Sequence, residues 1–247
     1  MRLSVIVPAF NEERYLPRSL SSVRQAALAF GDAFPGETIE VIVVDNGSTD
    51  QTATVAREHG AMVIPEGRRG IAVARNTGAA AAHGEILVFL DADYRVLPSF
   101  LARIAGRYAD DASMAGAGVR VALEPTEIDP ITRSIAAGAL LVLRRTRSMS
   151  FGVASFRREC FDALRGYDES LYALEDVEIL QRLASPRHRR LGRYRVLSDV
   201  CVLASARGFF RGGALGMGRM LAAYTRVTLF PAARRDIRRC GYWYERE

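Results

Sequence analysis

Short β-branched runs alternate with longer amphipathic stretches through the first hundred residues. This is the pattern of strand-helix-strand units and predicts a mostly parallel sheet flanked by helices, an α/β fold. Leu3 to Val7, Ile39 to Val44, Ala61 to Ile64 and Ile86 to Leu90 read as strands, and Leu16 to Phe30, Thr49 to His59 and Ile71 to His83 as the helices between them. Ser48 and Gln51 have the form of a capping box for the second helix, and Gly60 is placed to end it. From Met114 the pattern restarts, with Gly116 to Val121 as a strand, and periodicity is then poor to about Ser148. Phe151 to Phe156 reads as a strand, Arg157 to Leu164 as a short helix and Glu175 to Leu183 as a further helix. No internal repeat, low-complexity tract or long linker divides the chain.

Composition adds limits. With 49% hydrophobic residues the chain can bury a core. Residues 1–204 carry 25 Arg against 25 acidic residues, whereas residues 205–247 carry 9 Arg against 3, so the net charge of +6 lies in the tail. All 34 basic residues are Arg, which excludes Schiff-base and Lys-dependent phosphate-loop chemistry. Arg suits bidentate phosphate contacts, although genome composition explains the usage as readily. Cys160, Cys201 and Cys240 have no metal-ligand spacing and no disulfide pattern, which fits a cytoplasmic protein. The apolar run before Pro8 is too short for a signal peptide, and no apolar stretch approaches the roughly 18 residues of a spanning helix. No nucleic-acid partner is expected, and the oligomeric state is open. His59, His83 and His188 share no spacing and read as surface residues.

Asp91-Ala92-Asp93 follows the apolar run Ile86 to Leu90, so two carboxylates stand where a buried strand opens into a loop, the place where open α/β sheets bind ligands. Carboxylates at i and i+2 can both reach one hard divalent cation, and Mg²⁺ typically takes one or two carboxylates plus substrate phosphates. Asp91 and Asp93 are therefore candidate ligands for a divalent cation such as Mg²⁺ on a diphosphate. The alternative is a capping Asp91 and a solvated Asp93.

Two further strand ends open on the same edge. The first runs Val5-Ile6-Val7-Pro8-Ala9-Phe10-Asn11-Glu12-Glu13 and the second Val43-Val44-Asp45-Asn46-Gly47-Ser48-Thr49-Asp50. Asp45 can accept hydrogen bonds from a base or ribose, and the backbone after Pro8 can lie against the base. Asp45 as the Asx partner of an Asn46-Gly47 turn is the other reading. Gly67-Arg68-Arg69-Gly70 then leads into the small-residue helix Ile71 to Gly78, from which Arg75 or Asn76 could reach a nucleotide. Arg68 and Arg69 read as a solvated pair.

In order and spacing over residues 3 to 93, these segments resemble the family 2 glycosyltransferases. That family's pattern is a Pro-x-x-Asn-Glu strand end, an Asp-rich turn, an Arg-Asn-x-Gly helix and a Leu-Asp-x-Asp strand end. Gly166-Tyr167-Asp168-Glu169 with Leu174-Glu175-Asp176-Val177-Glu178-Ile179 is similar to its acceptor-side Glu-Asp motif. The resemblance implies the GT-A fold, a nucleoside-diphosphate sugar donor with UDP favoured, Mg²⁺ or Mn²⁺, and inversion at the anomeric carbon. It implies donor contacts from Pro8, Ala9, Asn11, Glu12, Asp45, Arg75, Asn76, Asp91, Ala92 and Asp93. The resemblance covers about residues 3 to 183, and the chain is read as a domain over 1–204, with a nucleotide-sugar half (1–113) and an acceptor half (114–204), followed by a basic extension (205–247).

Displacing a nucleoside diphosphate calls for a base near the acceptor hydroxyl. Asp176 is assigned that role with Glu175 as second choice, and a structural helix cap is the alternative. Ser205 to Arg211 resembles the Arg-containing motif of processive synthases but lacks its Gln and Trp. The acceptor is expected to be a glycan or a lipid-linked molecule. Residues 212–233 read as a helix with Arg219 and Arg226 on nearly one face and Arg234, Arg235, Arg238 and Arg239 behind, suited to an anionic membrane at the inner face of the cell membrane. Packing on the domain or on a second copy is the alternative.

The sequence argues against a sugar-phosphate nucleotidyltransferase, which wants a Gly-rich loop and a Lys, and against a dehydrogenase, which wants Gly-x-Gly-x-x-Gly. A non-catalytic nucleotide-sugar binder on the same fold is the second hypothesis.

Overall fold

Strand β1 (Arg2–Ala9), helix α1 (Leu16–Ala33), β2 (Thr38–Asp45), α2 (Thr52–Glu58), β3 (Met62–Pro65), α3 (Ile71–Ala81) and β4 (Ile86–Leu90) follow one another as the hydrophobic pattern predicts. The computed structural model describes residues 1–124, 152–205 and 213–240. Its four leading strands are parallel in the order β3-β2-β1-β4. Alternate residues serve two cores, because side chains on a strand point to opposite faces. Leu3, Val5 and Val7 join Leu16, Leu20, Val23 and Phe30 of α1 on one face, while Ile6, Ile42 and Val44 join Ala72, Ala74 and Ala79 of α3 on the other. Gly78 permits that second contact: a Cβ there would come within 2.9 Å of Val44 Cγ2.

Past β4 the sheet becomes mixed. Strand β5 (Tyr94–Val96), helix α4 (Phe100–Asp110), β6 (Met114–Leu123), β7 (Val153–Arg157), α5 (Arg158–Ala163), α6 (Glu175–Ala184) and β8 (Arg193–Ala204) complete one eight-stranded sheet, β3-β2-β1-β4-β7-β6-β8-β5. β7 lies antiparallel to both β4 and β6, β8 is parallel to β6, and β5 is antiparallel to β8. The parallel expectation thus holds for the first half of the sheet, and both halves of the chain contribute to it.

Local expectations differ at three points. α2 begins at Thr52 without the Ser48 cap, because the Ser48 hydroxyl accepts the Asn11 N–H at 3.0 Å while Asp50 Oδ1 takes the Thr52 N–H at 2.9 Å. Gly60, at φ +77°, does end it. β8, for which the hydrophobic pattern gave no strand, begins at Arg193 and buries only alternate positions toward its end, such as Val200, Val202 and Ala204. Helix α4 buries Phe100, Leu101, Ile104, Ala105 and Tyr108 on one face.

The basic extension forms helix α7 (Gly213–Leu229) and returns to the domain. Val227 and Cys240 are buried with Ala173, and the Arg234 carbonyl accepts the Tyr172 N–H at 2.7 Å. One face of this segment is therefore held by protein. Leu229 and Phe230 are exposed, at 66% and 61%. Among the described residues no helix is long and apolar enough to cross a membrane. The Arg-containing segment after Ser205 and the weakly periodic stretch 125–151 lie outside the described residues.

Candidate active site

The exits of β1 and β2 are stitched into one rim. Asn11 adopts φ +52°, a left-handed conformation that Asn tolerates better than most residues. There its N–H meets Ser48 Oγ at 3.0 Å, and its Oδ1 accepts the Thr49 N–H at 2.8 Å. Asp45 accepts the Ser48 N–H through Oδ1 at 3.0 Å, the Asx turn that the sequence left as one of two readings, and remains partly exposed at the sheet edge. Asn46, which sequence reasoning passed over as a turn residue, is buried and organises the next loop. Its amide donates to the carbonyls of Glu66 and Arg68 at 3.2 and 2.6 Å and accepts the Gly70 N–H at 2.9 Å. Arg69 is not simply solvated: its guanidinium lies 3.3 Å from the Phe10 ring centroid and donates to Asn46 O at 3.4 Å.

Several expected donor residues do not present side chains at this rim. Pro8 and Ala9 are buried in β1 opposite Val44 and Asp45, and Ala92 packs into the core, so their contacts with a ligand would be through backbone. Glu12 is 1% exposed; its N–H donates to Thr52 Oγ1 at 2.7 Å and its carbonyl receives the Tyr15 and Leu16 N–H groups that start α1. Asn76 reaches away from the β1 and β2 rim. It pairs with the Tyr167 backbone in both directions, donating to O and accepting from N at 2.9 Å each, and donates to Glu169 at 3.2 Å. That grip explains Gly166, at φ +67°, whose Cβ would lie 2.6 Å from Asn76 Oδ1.

Arg75 also departs from expectation. Its side chain is buried between two carboxylates, with Nη2 donating to Asp91 Oδ1 at 2.9 Å and Nη1 to Glu175 Oε1 at 2.6 Å. Tyr167 lies beneath, its ring centroid 5.3 Å from the guanidinium carbon, on an aromatic cluster with Phe89, Phe156 and Phe161. The fold thus joins the end of β4 to the start of α6, 84 positions apart in sequence, through one arginine of α3.

The electrostatics follow from this packing. Burial pushes the Asp91 carboxyl up to about 6 against the pull of Arg75, with the neighbouring Asp93 adding to the rise. Burial and then the adjacent Glu175 raise Asp176 to about 7, opposed by Arg75 and by the Val177 N–H, which donates to Asp176 Oδ1 at 2.8 Å. Leu174, just before this pair, sits at φ +60°, a strained conformation for a branched residue and one that cases near functional sites commonly hold. Gly152 is a second residue sequence reasoning missed. At φ +72° its carbonyl accepts the Asp91 N–H at 2.9 Å, and a Cβ would sit 2.5 Å from Asp91 Oδ2 and 2.7 Å from Tyr94 Cζ. Its position before the apolar strand Val153–Arg157 was the available signal. Among the described residues no three His, Cys, Asp or Glu side chains cluster as a complete metal site. Two carboxylates are what a site completed by substrate phosphates needs.

Known proteins share this arrangement of elements. The mannosyltransferase of Pyrobaculum calidifontis, solved with GDP-Man and Mn²⁺, superimposes with a TM-score of 0.67 at 25% identity, covering 95% of this chain and 64% of that one. An uncharacterized glycosyltransferase of Mycobacterium tuberculosis H37Rv is 40% identical over 91 residues, 37% of this chain and 36% of that protein. The dolichyl-phosphate beta-glucosyltransferase of Drosophila melanogaster is 36% identical over 131 residues, 47% of this chain and 40% of that protein. These matches span less than half the length of the two sequence relatives. The glycosyl transferase family 2 model matches residues 4–165, and the chain belongs to that family.

Proposed function

We propose that this protein moves a sugar from a nucleoside-diphosphate donor to a hydroxyl acceptor, with inversion at the anomeric carbon. The observation that carries the reading is the meeting of two acidic pairs, Asp91 with Asp93 and Glu175 with Asp176, across Arg75 at the open edge of the sheet. Asp45, Asn11 and the backbone after Pro8 bound the side on which the nucleoside would lie. Asp91 and Asp93 fit a hard divalent cation, Mg²⁺ or Mn²⁺: both are hard oxygen donors, and the crowding that lifts Asp91 to about 6 is relieved by a positive charge. When bound there, such a cation would supply Lewis-acid stabilisation of the departing diphosphate.

Asp176 then serves as the base. An ionising group displaced to about 7 is matched to proton abstraction near neutral pH. As the acceptor oxygen bonds to the anomeric carbon, its proton passes to Asp176, and the bond from that carbon to the diphosphate oxygen breaks with its electron pair leaving on the diphosphate. A single displacement from the face opposite the leaving group inverts the centre. A panel of UDP-, GDP- and dTDP-sugars, each with and without Mn²⁺, tests the reading by release of nucleoside diphosphate. Metal-dependent release from one donor is the expected result. Thermal stabilisation by a donor, without turnover under any acceptor condition, would favour the non-catalytic binder instead.

The exposed Leu229 and Phe230, with exposed Arg226, Arg235, Arg238 and Arg239 nearby in sequence, favour a second element of the proposal: contact with an anionic membrane carrying a lipid-linked acceptor. The Drosophila relative's name, a dolichyl-phosphate glucosyltransferase, is in keeping with this. Flotation with anionic but not neutral liposomes, lost at high salt or in Leu229→Ser/Phe230→Ser, is expected. Identical behaviour of both liposome types leaves α7 as a packing helix alone.

A further inference from the structure

We propose that Arg75 is a positioning residue that ties the strand-exit carboxylate Asp91 to the helix-start carboxylate Glu175, fixing the span between the two halves of the site and leaving Asp176 as the proton acceptor. The proposal rests on the functional reading above. Three features of the geometry support it.

The first is anchorage. Arg75 lies one helical turn before Gly78, whose close approach to Ile6 and Val44 keeps α3 from sliding along the sheet. The base of the side chain is thereby fixed against β1 and β2. The second is the fork. A planar guanidinium that donates from Nη1 to Glu175 and from Nη2 to Asp91 holds two acceptors at a set separation, which a flexible ammonium cannot do. The third is incompleteness. The Arg75 Nε is buried and makes no hydrogen bond within the described structure, so the side chain is arranged around its two carboxylates and not for its own full satisfaction.

Two chemical consequences follow. Glu175 is 6% exposed with Oε1 taken by Arg75, so it is poorly placed to receive a proton from an acceptor hydroxyl, whereas the neighbouring Asp176 is half-buried. Asp91 likewise gives Oδ1 to Arg75 and turns Oδ2 toward Gly152, so Asp93 would carry the larger share of a bound cation. The charge of Arg75 is shared between Asp91 and Glu175. Removing the charge on Glu175 therefore throws more of it onto Asp91 and weakens cation binding there, although Glu175 is no ligand.

The test uses the full chain, Mn²⁺ titrated in the presence of UDP by electron paramagnetic resonance, and hydrolysis of whichever nucleotide sugar the wild type turns over. Arg75→Lys keeps the charge and loses the fork. It is expected to bind Mn²⁺ and donor within about threefold of wild type while turnover falls by about 10²-fold, the size of a small misplacement of reacting groups. Glu175→Gln keeps an acceptor for Arg75 and loses the charge, and is expected to weaken Mn²⁺ binding by roughly fivefold. Its turnover should exceed that of Asp176→Asn. A purely structural Arg75 predicts a lower folded fraction with unchanged turnover per folded molecule and no effect of Glu175→Gln on Mn²⁺. Wild-type turnover in folded Arg75→Lys, unchanged Mn²⁺ affinity in Glu175→Gln, or a larger turnover loss in Glu175→Gln than in Asp176→Asn each overturns this proposal alone. Absence of Mn²⁺-dependent UDP binding in the wild type overturns the functional reading and this proposal with it.

Discussion

Asp91 and Asp93 leave a buried strand, whereas Glu175 and Asp176 open a helix, and the difference in spacing divides the work differently in each pair. At the strand exit Ala92 turns into the core and leaves a carboxylate on either side of it partly exposed. Neighbours on a helix point about 100° apart, since 3.6 residues make a turn. One of them, Glu175, is therefore buried against Arg75 while Asp176 stays half-buried. The strand pair is suited to share one cation, and the helix pair is suited to split into a held residue and an available one.

The largest expected effect breaks the helix pair. Asp176→Asn should lower turnover by roughly 10² to 10⁴ with donor affinity near wild type, since a positioned base contributes about that much. In the wild type, turnover should rise with pH up to about 7 and then level, because Asp176 must be ionised to accept a proton. A steady-state pH profile checks both, and normal transfer by Asp176→Asn removes it from the mechanism.

Next comes the strand pair. Asp93→Asn should weaken metal-dependent nucleotide binding by something on the order of 10²-fold, with the fold intact by circular dichroism. Asp91→Asn should do less, because Arg75 already occupies one of its oxygens. Calorimetric titration with UDP, with and without Mn²⁺, measures this, and unchanged metal dependence in both variants would show that the cation binds elsewhere.

Gly152→Ala disturbs the strand pair without touching its charge. The new methyl group would meet Asp91 Oδ2 and Tyr94 at a residue held at φ +72°. A stability loss of about 1–3 kcal/mol is expected, read by denaturant unfolding, together with weaker metal-dependent binding. Wild-type stability would mean the loop relaxes freely.

The smallest effect is on thermal stability and has a definite sign. Asp176 holds its proton up to about 7 in the folded chain but only to 3.8 in the ordinary, unfolded state. Its contribution to stability is therefore complete below pH 3.8 and lost as pH rises through about 7. Asp176→Asn should raise the melting temperature at pH 8 and change it little at pH 4. An equal shift at both values would point to packing and not to ionisation.

How much of this was legible varied with the range of the interactions. The strands β1 to β4 and the helices between them follow from local hydrophobic period, and the small residues of α3 signal close packing there, although what Gly78 packs against, Ile6 and Val44, lies far away in sequence. Helix α4 was equally legible, since Phe100, Leu101, Ile104, Ala105 and Tyr108 mark one face, but the pattern went unread. β8 was not legible: it opens on Arg193 and Arg195 just after an Arg-rich turn, its first half is mostly exposed, and only pairing with β6 and β5 makes it a strand.

At the site, the sequence by itself determined which residues are candidates for the chemistry: a pair of acids after a buried strand and a pair opening a helix, in an order that resembles one family. It also determined that the excess positive charge lies in the last 43 residues. Only the tertiary structure decided what those residues do to one another. It turned Arg75 from a nucleotide contact into the cation between two acids, sent Asn76 to hold the Tyr167 backbone, and brought Arg234 and Val227 onto the loop before α6. The physical reason is that hydrophobic periodicity reports burial along one element, whereas a hydrogen bond or ion pair between residues 91 to 100 positions apart exists only after the sheet has brought its strand ends and helix ends to a common edge.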